Sequence, residues 1–488
     1  RSEAAALYAL ADARCMAQEF REALQVAEEA LVIARGLADP RGEALLSAAI
    51  SVARLGLGEA DAALTAARDA LTLCPRVDDA GVEDAALDAL IAVHSSRKTL
   101  DLAVDALQVA REQKKSSGDK LREAALLGRL SKVYIMQEEF GSGVMVAKQA
   151  IALSQEAGDA ATEASARAAL ARAHLAGDEI EDAQRSATEA ASLCRSSQDL
   201  AGEAAALEVA INATLRKGDL DEGLHIASQA LDRFRTAGNK RMQAAMLLAI
   251  AEVNMQMQDI EGAMVFFKKA RATYNEIKDS RGEAATFHRI AQLAATIGDV
   301  DEATWSIQRA TSLFRKMRDK SGEAGILLVA ADMSFAKSWG FMVQNMELKS
   351  QVQAKEALRT AELAMGLSRA ASDKSGQALA LLSIGNAQLM LKDAAAAMST
   401  ASECMALCED IGNEQGRAGA QLIAGGAHLM QGRADAASQA ASEARRLFRQ
   451  CMDEMGDQAA ASFLKDVTAF EAGDYNTDNF AGFYLRGT

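Results

Sequence analysis

The chain repeats its small side chains every 40 residues, and that recurrence leaves few folds open. One position reads Ala23, Ala63, Ala103, Gly143, Ala183, Gly223, Ala263 and Ala303, then, after a 14-residue shift, Ala357, Ala397 and Ala437. A second, seven residues on, reads Ala30, Ala70, Ala110, Ala150, Ala190, Ala230, Ala270, Ala310, Ala364, Cys404 and Ala444. Residues four and seven apart share one face of an α-helix. A face of alanines lets two helix axes approach closely, so these columns mark one helix of each unit, helix B. Self-similarity at a fixed period of this length is the signature of a stacked repeat, in which each unit buries its apolar face only against its neighbours.

A column of large apolar residues precedes it: Leu10, Ile50, Leu90, Leu130, Leu170, Ile250, Ile290 and Ile384. The next residue is mostly small, as at Ala11, Ser51, Ser131, Ala171, Ala251 and Gly385. This pairing predicts helix A, with a bulky residue in the core beside a small one at the crossing. Between units, Asp39, Asp79, Asp119, Asp159, Asp199, Asn239, Asp279, Asp319, Asp373, Asn413 and Asp453 share a register. Asp and Asn accept the free N–H groups of a helix start. Glu43, Glu83, Glu123, Glu163, Glu203, Glu283 and Glu323 follow four residues later, in the first turn, where the helix dipole favours negative charge. Only 2 prolines occur in 488 residues, and one of them, Pro40, falls at a predicted helix start, where proline is tolerated.

These columns resemble the tetratricopeptide repeat (TPR) superfamily. The large-small pair, the alanine and the second alanine seven residues on are that family's pattern, in a 40-residue period rather than its usual shorter one. The opening Asp279-Ser280-Arg281-Gly282-Glu283-Ala284 looks like the longer variety found in Pins-type adaptors and kinesin light chains. The resemblance implies an all-α, right-handed superhelical solenoid of about eleven and a half antiparallel helix pairs over residues 1–471. It implies protein binding as well, without naming a partner.

Two segments depart from the period. About fourteen extra residues, roughly Trp339 to Val352, fall between helices A and B of repeat nine. They either lengthen both helices or form a loop, and Phe341, Met342 and Val343 are a candidate apolar hook for a partner. Residues 472–488 are polar with a few aromatics and are expected to cap the last helix face or to extend to a partner.

Charge and composition narrow the function. The formal net charge is -15, which opposes a sequence-independent grip on nucleic acid and on anionic membrane surfaces. No uninterrupted apolar run of about 18 residues is present, so no membrane insertion is expected. No leader is visible, and the sequence opens on Arg1 rather than Met, which leaves a removed leader open. The six cysteines lack C-x-x-C spacing, consistent with a reduced intracellular, cytoplasmic setting. An organelle reached through a removed leader is the alternative.

Candidate chemistry is scarce. Cys74, Cys194 and Cys408 share a register with Ala34, Phe234, Tyr274, Phe314 and Phe448, which is an apolar packing slot. Cys404 and Cys408 are four apart, without further ligands nearby to complete a metal site. His94, His174 and His428 share a register with Tyr134 and read as interface fillers. No phosphate-binding loop, dinucleotide fingerprint, metalloprotease motif or nucleophile elbow is present. The expectation is a non-enzymatic protein with no cofactor and no metal.

One column varies where the packing columns do not. One residue past the small position of helix A stand Asp12, Val52, Ala92, Lys132, Arg172, Asn212, Glu252, Gln292, Asp332, Asn386, Gly426 and Asp466, most of them polar. Arg216 lies four residues beyond Asn212, and His288 four before Gln292, so both fall on the same helical face. By the TPR resemblance this stripe lines the concave groove, where varied polar groups suit peptide recognition. Lys132, Arg172 and Arg216 make part of it basic, so protein or peptide partners with acidic segments are expected. The alternative is an architectural subunit held permanently in a complex through its convex face and ends.

Overall fold

The computed structural model describes residues 2–16, 19–77 and 79–473. Among them every regular element is an α-helix. The chain divides into two compact units, meeting at Asp279 and Ser280.

In unit 1 the A helices are α1 (Ser2–Met16), α3 (Pro40–Gly56), α5 (Ala80–Ser96), α7 (Lys120–Met136), α9 (Ala160–Ala176), α11 (Leu200–Lys217) and α13 (Lys240–Gln256). They alternate with the B helices α2 (Phe20–Gly36), α4 (Ala60–Val77), α6 (Leu100–Ser117), α8 (Phe140–Ala157), α10 (Ile180–Ser196), α12 (Leu220–Thr236) and α14 (Ile260–Glu276). Unit 2 continues the alternation with A helices α15 (Ser280–Ile297), α17 (Lys320–Val343), α19 (Lys374–Met390), α21 (Glu414–Met430) and α23 (Glu454–Glu471). Its B helices are α16 (Val300–Met317), α18 (Glu347–Ala370), α20 (Ala394–Asp410) and α22 (Ala434–Gln450). The all-α stack of helix pairs read from the sequence is the fold.

The small-residue columns explain the stacking. Ala23, Ala63, Ala103, Ala183, Ala263, Ala303, Ala397 and Ala437 are all fully buried. Ser51 uses its hydroxyl at the A–B crossing, donating to the Ala63 carbonyl at 2.8 Å. Leu10 departs from its column: it is exposed.

The capping register holds as well. Asp159 accepts from the Thr162 N–H at 2.8 Å and Asp453 from the Gly456 N–H at 2.8 Å, with the same contact at Asp199, Asp319 and Asn413. At successive described junctions one residue takes the left-handed conformation, at intervals of half a repeat, as at Gly118, Glu138, Gly158, Asp178 and Gln198. Glycine is not required, so the turns carry little sequence signal.

Successive A helices pack on one another in both units, whereas B helices pack chiefly against A helices. Each unit therefore carries its A helices on the tighter, inner side. The insertion of repeat nine lengthens two helices rather than forming a loop: α17 and α18 have 24 residues each. Buried Ser338 donates to the Ser350 carbonyl at 2.7 Å and ties the extensions together.

By length and composition α17 is apolar enough to cross a membrane, contrary to the expectation that no segment qualifies. Asp332 and Lys337 lie within it, and its apolar length follows from packing against α15, α16, α18 and α19. The expected cap or tail over 472–488 falls, from residue 474 onward, outside the described residues.

Candidate functional site

The stripe one residue past the A-helix crossing points away from the packed columns. In unit 1, Lys132 on α7, Arg172 on α9 and Asn212 on α11 are exposed, and Glu252 on α13 is half-buried. Neither Lys132 nor Arg172 has an ion-pair partner among the described residues. Water reaches Arg172, yet its surroundings are poor in solvent, and desolvation pushes its pKa below the usual arginine value. Arg216 is different. It donates to the Leu175 carbonyl at 2.9 Å and lies 3.6 Å from Asp178, so it ties α11 to the turn after α9.

Sequence reasoning missed Glu208, four residues before Asn212 on the same face. Its carboxyl is pushed upward by desolvation. Unit 1 thus presents both signs along one face, with Lys132 and Arg172 on α7 and α9, Glu208 and Glu252 on α11 and α13, and Arg216 of α11 turned to the end of α9.

In unit 2 the structure brings His288, Gln292, Asp332 and Asn386 together on the walls of one cleft of about 580 Å³. That size is ordinary for a ligand site. Leu328, Val329, Phe335, Leu379, Leu382 and Met455 supply apolar wall. Ser383, Lys337 and Asp453 join the polar lining; none of them belongs to the stripe. The signal lay in neighbouring columns: Leu328 and Leu382 are four residues before Asp332 and Asn386, and Gly325 and Leu379 are seven before. A groove wall is several columns wide because positions four and seven apart share a helical face.

Electrostatics sets two of these groups apart. Among the described residues, Asp332 accepts one hydrogen bond, from the Ser383 hydroxyl at 3.2 Å, and no cation pairs with it. Water reaches it, but the apolar walls raise its pKa to about 6. The His288 ring lies over Gly325, where an added Cβ would stand 3.0 Å from its Cε1. Burial, with help from Arg289, lowers its pKa to about 4, so it is a neutral imidazole at pH 7. Asp453 is occupied as the cap of α23 and accepts from Gln415 Nε2 at 2.9 Å.

The candidate hook sits at the far end of the α17–α18 pair. Met342 packs on the cluster of Phe335, Ala354 and Met390, Phe341 is half-buried beneath Lys349 Nζ at 5.6 Å from its ring centroid, and Val343 is exposed.

The histidine and cysteine registers serve structure. His94 Nδ1 meets Thr99 Oγ1 at 2.8 Å, and His174 Nδ1 meets the Glu179 carboxylate; each spans the A–B turn to the residue that starts helix B. Glu179 and Asp182 place two carboxylates beside His174, but His94 makes the same reach without an acid partner. Cys194, Cys404 and Cys408 are buried.

No protein-family profile matches this chain, and no curated protein matches it. Solved structures do. Yeast Tom70 is 14% identical, with 96% of each chain covered and a TM-score of 0.47. A Rap protein complexed with competence and sporulation factor is 12% identical, covers 97% of this chain and 99% of its own, and has a TM-score of 0.41. The TPR-like repeats of a Podosopora anserina putative kinesin light chain are 14% identical, cover 40% of this chain and 95% of their own, and have a TM-score of 0.32.

Proposed function

We propose that the chain is a non-catalytic scaffold that takes polypeptide segments along the inner faces of its A helices, as part of a larger assembly. The observation that carries this reading is the stripe itself. From Lys132 to Asn386 the position beside the buried column carries a polar group in every repeat, whereas Val52, Ala92 and Gly426 stand there in others. In unit 1, Lys132 and Arg172 are exposed cations without ion-pair partners among the described residues, suited to the acidic side chains of an extended or helical partner segment.

Affinity purification with mass spectrometry tests it, comparing the wild-type chain with a Lys132→Glu/Arg172→Glu variant. Loss of a subset of polypeptides rich in acidic segments is expected. An unchanged set of captured proteins would remove the groove from consideration.

A second reading has one observation in its favour. Val343, Met346, Leu348 and Val352 are all exposed at the tip of the α17–α18 pair, more apolar surface than a solvated hairpin needs. It favours an architectural subunit held through its outer surface and ends. Contacts of that kind resist salt, whereas groove binding through Lys132 and Arg172 weakens as salt rises.

A further inference from the structure

The unit 2 cleft differs in charge from the unit 1 stripe, and the difference identifies what it suits. Its one basic lining residue, Lys337, is exposed and is not paired with Asp332. Asp453 has both carboxylate oxygens engaged, by the Gly456 N–H and by Gln415. Among the described residues, Asp332 has one oxygen without a partner and accepts from Ser383 through the other. His288 makes no hydrogen bond among the described residues, so its neutral ring offers one donor and one acceptor to whatever enters.

Around these groups lies apolar wall. Leu379 and Met455 are 51% and 53% exposed, unusual for large apolar side chains lining a cleft rather than scattered singly over a surface. An anionic occupant would place its charge beside an uncompensated carboxylate. A wholly apolar one would bury that carboxylate further, unpaired. A cation beside an apolar group satisfies both walls.

We infer that the unit 2 cleft accepts a polypeptide segment whose apolar side chain lodges among Leu328, Val329, Leu379 and Leu382 and whose neighbouring arginine or lysine pairs with Asp332. This rests on the groove reading above and adds to it a partner chemistry opposite in sign to that of Lys132 and Arg172. For the partner's backbone there are His288 on α15 and, one turn further, the side-chain N–H groups of Gln292, whose Oε1 accepts from Arg289. The pairing replaces water at a carboxylate that the protein itself leaves without a cation, so charge-assisted bonding there is strong for its size.

Selection of random twelve-residue peptides displayed on phage, with the full chain as bait, tests the inference. Enriched sequences should place Arg or Lys within one or two positions of Leu, Ile, Phe or Met. A labelled peptide from that pool should bind Asp332→Asn about 10- to 100-fold more weakly, and Asp332→Glu much less so. Leu379→Glu should weaken it too. Peptides without a basic residue that respond to Leu379→Glu and not to Asp332→Asn would overturn the inference and leave groove binding intact. Peptides indifferent to both variants, or no enrichment over bare matrix, would overturn the inference and the groove reading of unit 2 together.

Discussion

Arg195, in the last turn of α10, donates through Nε to the Glu203 carboxylate in the first turn of α11 at 3.2 Å. Glu203 is 1% exposed and also takes Arg233 from α12. The same eight-residue reach across a repeat boundary recurs at Arg35–Glu43, Arg315–Glu323 and Arg449–Asp457. The acidic column therefore does more than meet the helix dipole. It links the end of one helix pair to the start of the next.

Removing Glu203 takes the shared anion from Arg195 and Arg233, whose side chains are 57% and 33% exposed, so solvent offsets part of the loss. Glu203→Ala should destabilise unit 1 by about 1 to 2 kcal/mol, read as a lowered denaturant midpoint. Asp232→Ala, at an exposed residue that pairs with Arg235 on the same helix, should change it by less than about 0.5 kcal/mol. Equal effects would show that the boundary link has no special weight.

Gly322 stands three residues past the cap Asp319, and an added Cβ would lie 2.4 Å from Phe314. Phe314 is buried and cannot retreat without disturbing its neighbours, so Gly322→Ala should cost about 1 to 3 kcal/mol by overpacking. Gly366, within α18, meets nothing within 4 Å, and Gly366→Ala should stabilise by about 0.5 to 1 kcal/mol through helix propensity. Thermal melts of the two variants should move in opposite directions. A common direction would contradict the close approach at Gly322.

The fold was legible because its packing columns vary only among small residues, Ala, Gly and Cys. Ala63 and Ala183 each touch a second helix, and any larger group there separates two axes. The restarts were legible because Asp159 and its equivalents perform one local task. The site was less so. Groove residues are free of packing, so they vary, and variation in a single sequence looks like noise. Ser383 and Leu379 join Asp332 only because α17 and α19 lie side by side, which no single helix records. Arg216 shares a face with Asn212 in the sequence, but its reach to Leu175 and Asp178 depends on where α9 ends. The left-handed turn residues escaped notice because Glu138 and Gln198 adopt φ 63° and 58° without glycine.

Cys404 and Cys408 are one turn apart on α20, their sulfurs 3.8 Å from each other, and both are buried. The Cys404 thiol is pushed strongly upward by its hydrogen bond to Cys408 and by burial. Thiolates react, and buried protonated thiols do not. Under native conditions a disulfide reagent should modify the exposed Cys451 first, with Cys194, Cys404 and Cys408 modified only on unfolding. Peptide mapping after a timed exposure reads this out, and early modification of Cys404 would mean that α20 opens locally.

Asp332 and His288 should give unit 2 opposing responses to acid. The His288 pKa is lowered from 6.5 to about 4 in the fold, so between those values the unfolded chain binds a proton that the folded chain refuses. Stability from this group is full above 6.5 and falls as pH drops towards 4. The Asp332 pKa is raised from 3.8 to about 6, so the folded chain holds a proton that the unfolded chain releases. Its contribution is most favourable below 3.8 and is lost as pH rises through 6. Two variants separate the responses. At about pH 7.5, Asp332→Asn should melt above wild type, with the advantage gone by about pH 4; His288→Gln should match wild type at neutral pH and exceed it near pH 5. The same titration governs the cleft as a binding site, since a protonated Asp332 no longer attracts a cation. Binding of a basic peptide should weaken as pH falls below 6, and a pH-independent affinity would separate the peptide from Asp332.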